Sequence, residues 1–119
     1  MLKIGVLGAG HLGKIHIKLL LELSDVYEFV GFFDANKSNA EAVSKQFGIT
    51  SYDTIEELID LTDVIDIVTP TVSHFDCAKK AIQKGNHVFI EKPLTETIEE
   101  GEELISLSEE FGVKVQVGH

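Results

Sequence analysis

A short apolar run near the start of the chain, Lys3-Ile4-Gly5-Val6-Leu7, breaks into Gly8-Ala9-Gly10-His11-Leu12-Gly13, and a helix-like pattern from Lys14 to Leu23 follows at once. The spacing G-x-G-x-x-G therefore falls where a strand would turn directly into a helix, and that placement constrains the fold more than any other feature. Each glycine then has a mechanical task. Gly8 permits the tight turn, Gly10 lets backbone approach a pyrophosphate, and Gly13 lets the helix pack closely on the strand. The N-terminus of that helix offers unpaired N–H groups and a partial positive charge to the phosphates, and His11 and Leu12 in the glycine loop belong to the same cofactor-binding set. A glycine-rich turn with no ligand uses the same residues, so the rest of the chain must decide.

The following segments alternate. After the first helix, ending near Ser24, the run Tyr27-Glu28-Phe29-Val30-Gly31-Phe32-Phe33 reads as a second strand and stops at Asp34. Ser38 with Glu41 reads as a capping box opening a helix that ends at Gly48, and a short third strand is expected near Ile49 to Tyr52. Thr54 with Glu57 caps a short helix. Asp63 to Val68 is the fourth strand, followed by Thr69-Pro70-Thr71. Ser73 with Asp76 opens a helix to Lys84, His87 to Ile90 is the fifth strand, and Glu91-Lys92-Pro93 follows it. Thr97 with Glu100 caps the last helix, Gly112 ends it, and Lys114 to Val117 is a sixth strand. Such alternation predicts an α/β fold: a Rossmann-like, doubly wound parallel sheet between two helical layers, strand order 3-2-1-4-5-6, over residues 1–119 as one domain.

Charge narrows the partners. With 10 Lys+Arg against 20 Asp+Glu, a formal net charge of -10, the chain is unsuited to nucleic acid or an anionic membrane surface. All ten cations are lysines, so no arginine fork is present for a ribose 2'-phosphate. Cys77 is the single cysteine, expected as a small buried residue on a helix, and with no signal-peptide pattern the reading is cytoplasmic.

In a sheet of this order ligands bind beyond the carboxyl ends of the strands, where strand order reverses. Asp34 lies about twenty residues past the last glycine, where a carboxylate bonds ribose hydroxyls and repels a 2'-phosphate, so NAD is favoured over NADP. Its alternative is a loop aspartate that starts the next helix. Thr69, Pro70 and Thr71 follow the fourth strand, on the nicotinamide side. His74 would border the nicotinamide or be a partly buried first-turn residue, and His16, on the first helix, reads as packing or surface. Lys92 beside a cationic nicotinamide would have a depressed pKa suited to proton exchange with a substrate hydroxyl; a surface lysine fits its position equally well. Glu91 would bond the nicotinamide ribose or pair with Lys92. Nothing in the histidine spacing suggests a metal site.

Taken together, Gly8-x-Gly10-x-x-Gly13 with His16, Asp34, Thr69-Pro70 with His74, and Glu91-Lys92-Pro93 after the fifth strand resemble the N-terminal domain of the Gfo/Idh/MocA family. The Glu-Lys-Pro motif is the specific part. The resemblance implies an NAD(P)-dependent oxidoreductase of sugars, cyclitols or related hydroxyl compounds, with Lys92 assisting proton transfer and Glu91 near the nicotinamide ribose. Thr71 departs from the asparagine that many members carry. Family members continue into a second domain that supplies most substrate contacts and the homo-oligomer interface, so this chain is expected to bind cofactor with little turnover. The same resemblance includes non-enzymatic NAD-sensing regulators, and a free-standing nucleotide-binding domain of potassium-transport regulation is a third reading, without a reason for Glu-Lys-Pro.

Overall fold

The computed structural model describes residues 1–70, 73–91, 95 and 97–117. Its elements are β1 (Leu2–Leu7), α1 (His11–Glu22), β2 (Tyr27–Phe33), α2 (Lys37–Phe47), α3 (Ile55–Asp60), β3 (Val64–Ile67), α4 (His74–Gln83), β4 (His87–Ile90), α5 (Ile98–Phe111) and β5 (Val115–Val117). All strand pairs are parallel, and the order is β2-β1-β3-β4-β5. This is the expected doubly wound order with one member reduced.

That member is the expected third strand. Residues 49–52 make only an isolated bridge, Ser51 to Phe32, closed by Phe32 N–H to Thr50 O at 3.1 Å and Tyr52 N–H to Phe32 O at 2.8 Å. The reason is length: Gly48 ends α2 in a left-handed turn and Thr54 already caps α3, so little chain is left to extend along β2. The contact is nonetheless close, since a side chain at Gly31 would meet the Tyr52 ring at 2.5 Å and Thr50 O at 2.6 Å.

Strand alternation divides the core. Ile4 and Val6 of β1 pack with Ile17 and Leu20 of α1 and with Ala40 and Val43 of α2. Leu7, Ile65, Ile67, Val88 and Ile90 face Leu58, Ala78, Ile82 and Leu104 of α3, α4 and α5. Burial of these side chains stabilises the fold by roughly 1.5–3 kcal/mol for each large one. Asp66, between Ile65 and Ile67, points to the α1 side and is only 4% exposed.

Helix starts follow local chemistry. Thr54 accepts from Glu57 N–H at 3.1 Å and Thr97 from Glu100 N–H at 3.2 Å, as the capping boxes predict. Two starts differ from expectation. Helix α1 begins at His11, because Gly10 O already accepts from Lys14 N–H at 2.9 Å. Helix α2 is capped by Asn36 instead of Ser38: Asn36 Oδ1 accepts from Asn39 N–H at 3.0 Å, which places Ser38 inside the first turn. Among the described residues no helix is long and apolar enough to cross a membrane.

Candidate cofactor site

Strand register brings the predicted residues level. Leu7 of β1 lies opposite Phe33 of β2 and Ile67 of β3, so Gly8, Asp34 and Val68 leave the sheet together. A register shift between Ile4 and Gly5, with Val30 as the extra residue of β2, sets this alignment. Gly8 N–H donates to Phe33 O and Val68 N–H to Leu7 O, both at 2.8 Å. Gly8 has φ +98°, and a Cβ there would lie 2.9 Å from Thr69 N and Val68 O. Only glycine suits that turn.

Asp34 holds the loop. One oxygen accepts from Ala9 N–H at 2.9 Å and from the Asn39 amide at 2.9 Å, and the other from Asn36 N–H at 2.8 Å. The same Asn39 amide donates to Ala9 O at 2.8 Å, so Asn39 fastens α2 to the glycine loop. A carboxylate has about four acceptor directions, and three are filled, which leaves one for a ribose hydroxyl. Sequence reasoning passed over Asn39, which lies within a polar helix start and carries no motif.

Above the strand ends lies a cavity of about 500 Å³, lined by Gly8, Gly10, His11, Leu12, Gly13, Asp34, Thr69 and Pro70 with apolar Phe33, Ile55 and Val68. Gly10 borders it, and a Cβ on Gly10 would meet nothing within 4 Å. Helix α1 starts there without a side-chain cap, unlike α2, α3 and α5. An uncapped N-terminus beside open space fits a dinucleotide pyrophosphate. Cys77 also lines the cavity, and burial pushes its thiol pKa up.

The remaining predicted residues divide. His74 is 2% exposed, and its Nε2 donates to Thr69 O at 2.8 Å, a direction fixed because a carbonyl only accepts. It braces the turn after β3 and is not one of the cavity-lining residues. The expectations for Thr71, Lys92 and Pro93 fall on residues outside the described ones.

Glu91 has a partner that neither sequence reading named. Its Oε1 lies 2.7 Å from Nε2 of His16, whose Nδ1 lies 2.6 Å from Asp66 Oδ2. The His16 ring also meets Phe89 edge to face, centroids 6.4 Å apart. His16 is therefore a bridge between α1, β3 and the exit of β4, and not the packing or surface residue its position suggested. One signal was legible: a carboxylate inside the apolar strand Val64-Ile65-Asp66-Ile67 requires a partner.

The hydrogen bond from Asp66, with further attraction from both carboxylates, raises the His16 pKa above 6.5 against the cost of burial. Burial raises that of Asp66 from 3.8 despite the imidazole. Both shifts mean that the folded chain retains protons the unfolded chain gives up. The His16 contribution is therefore full below its unfolded pKa and lost as pH rises through its folded value, and the Asp66 shift has the same sign at lower pH. Relative to a His16→Gln variant, the stability advantage of the unmodified protein should shrink as pH rises above about 6.5, where the unfolded chain's imidazole gives up its proton first. Urea melts at a series of pH values measure it; an advantage that grows with pH contradicts the bridge.

The comparisons with known proteins agree with this geometry. Residues 2–119 match the model of the oxidoreductase family with an NAD-binding Rossmann fold. UDP-N-acetylglucosamine 3-dehydrogenase of Acidithiobacillus ferrooxidans is 35% identical over 118 residues, covering 99% of this chain and 37% of that protein. The NAD(+)-dependent scyllo-inositol 2-dehydrogenase of Bacillus subtilis is 40% identical over 116 residues, covering 95% and 34%. A solved structure of the Acidithiobacillus enzyme superposes with a TM-score of 0.91 at 34% identity, over 99% of this chain and 38% of that one. The chain thus spans a little over a third of the length of the curated relatives it matches. By fold, glycine loop and sequence, the chain belongs to the Gfo/Idh/MocA oxidoreductase family and carries its NAD-binding Rossmann domain.

Proposed function

We propose that residues 1–119 are the cofactor-binding domain of an oxidoreductase that moves hydride between nicotinamide and a sugar, cyclitol or related hydroxyl compound. The observation that carries the reading is the open space at Gly10, beside an uncapped helix and inside a cavity bounded by Asp34 and Thr69. The substrate class is supported by two relatives that act on a sugar nucleotide and a cyclitol. The non-enzymatic sensor reading has no comparable support.

In this reading Gly8, Gly10, His11, Leu12 and Gly13 present backbone N–H groups to the pyrophosphate, and Asp34 accepts from the adenosine ribose through its free acceptor direction. Thr69, Pro70, Thr71 and His74 shape the nicotinamide side, His74 by holding the Thr69 carbonyl. Glu91 lies toward the nicotinamide ribose, and Lys92 takes or returns the proton of the substrate hydroxyl. The bound dinucleotide supplies the hydride acceptor or donor. Substrate contacts and the homo-oligomer interface belong to a second domain, so this domain alone binds cofactor in the cytosol without turnover.

Calorimetric titration with NADH and NADPH tests the assignment. NADH is expected to bind at least about tenfold tighter, because a 2'-phosphate would face the Asp34 carboxylate with no arginine to offset it. Saturable binding of neither nucleotide overturns the reading. Equal affinities overturn the role of Asp34 alone.

A further inference from the structure

The His16–Asp66–Glu91 bridge lies off the glycine-loop cavity. It opens on a groove along the α1 side of the sheet, lined among others by Leu19, Leu20, Val64 and Phe89. Three observations show that it is built and not incidental. Asp66 is a nearly buried carboxylate in a central strand, a costly placement unless it serves another group. Both ring nitrogens of His16 are engaged at 2.6 and 2.7 Å. The second contact reaches Glu91, the first residue beyond β4, whose N–H also bonds Ile67 O at 3.3 Å.

Ionised carboxylate oxygens only accept, so the imidazole donates from both nitrogens and carries a positive charge. Asp66 Oδ1 has no hydrogen-bond partner among the described residues, so its charge is answered chiefly through the ring. The bridge therefore ties the direction in which the chain leaves β4 to the rigid α1–β3 core. The next residue in the sequence is Lys92.

The geometry points to His16 as a positioning residue for the nicotinamide end of the site: bridging Asp66 and Glu91, it fixes the Glu91 carboxylate at the exit of β4 without touching cofactor itself. This rests on the proposed function. It goes further in assigning His16 and Asp66, which do not line the glycine-loop cavity, a selective effect on one half of the dinucleotide.

The test compares NADH with ADP, which has the adenosine half and pyrophosphate but no nicotinamide ribose. In His16→Gln, NADH affinity should fall about tenfold, the loss of one charge-assisted hydrogen bond, while ADP affinity stays within about twofold. Because that variant leaves Asp66 buried without its cation, a second variant, His16→Leu with Asp66→Leu, removes the charge pair and refills the space with apolar groups. It should fold and show the same selective loss.

A pH series adds a readout that a merely structural role would not move. In the unmodified protein the NADH-to-ADP affinity ratio should decline as pH rises through the His16 titration, and both variants should lack that component. His87, Lys114 and Tyr27 line the same groove and are present in all three proteins, so the difference between proteins isolates His16. Equal losses for NADH and ADP, or no loss of either, overturn the positioning role. If the unmodified protein binds ADP but not NADH, the positioning role falls together with the oxidoreductase reading, a result distinct from both.

Discussion

Gly10→Val is expected to lower NADH affinity by about two orders of magnitude while changing stability by no more than about 1 kcal/mol. Gly10 has φ -73° and ψ -159°, a conformation open to any L-residue, and its Cβ would meet nothing within 4 Å. The fold therefore has no reason to exclude a side chain there. The space that valine would fill is the cavity beside the first turn of α1, where backbone must come within hydrogen-bond distance of a pyrophosphate. Losing two charge-assisted bonds of about 1.5 kcal/mol each gives the stated loss. Calorimetry with NADH and urea melts of both proteins separate the two effects. Unchanged affinity would mean that the phosphates lie elsewhere, and a large loss of stability would mean that Gly10 serves the fold.

Gly13→Ala should do the reverse. An alanine within a helix normally gains up to about 1 kcal/mol over glycine. Here the added Cβ would stand 2.0 Å from Gly8 O and 2.8 Å from Gly8 C, and both atoms are backbone. Neither can rotate aside, so α1 must withdraw from the loop that β1 feeds into it. The expected result is a destabilisation of about 3 kcal/mol, a large part of the stability of a domain this size. Urea denaturation measures it. Stabilisation instead would show that the loop and α1 are less closely packed.

The same two glycines show what was legible and what was not. That Gly8, Gly10 and Gly13 stand between a strand and a helix could be read directly, because apolar runs and glycine spacing are local properties of the chain. Their different tolerances could not: at one an added Cβ would meet open space and at another it would stand 2.0 Å from backbone, and those distances depend on how β1, β3 and α1 come together. Helix caps at Thr54 and Thr97 were legible because both partners lie within four residues. The Asn36 cap was obscured by Ser38 and Glu41, which repeat the same local pattern two residues later.

The third strand failed for a related reason. Residues 49–52 have strand-forming composition, but the turn at Gly48 and the cap at Thr54 leave them room for one bridge. Spacing alone marked Asp34 as the candidate ribose acceptor, whereas its three bonds to Ala9, Asn36 and Asn39 come from strand register and the start of α2.

The sequence alone therefore determined the alternation of elements, the parallel doubly wound sheet, the glycine loop and the family, because these rest on short-range pattern and on residues kept in order along the chain. Only the tertiary structure decided that His16, Asp66 and Glu91 form one bridge. Their partners lie 50 and 75 positions from His16, and nothing local ties an imidazole on α1 to a carboxylate in β3 and another after β4 until the parallel sheet sets those segments side by side.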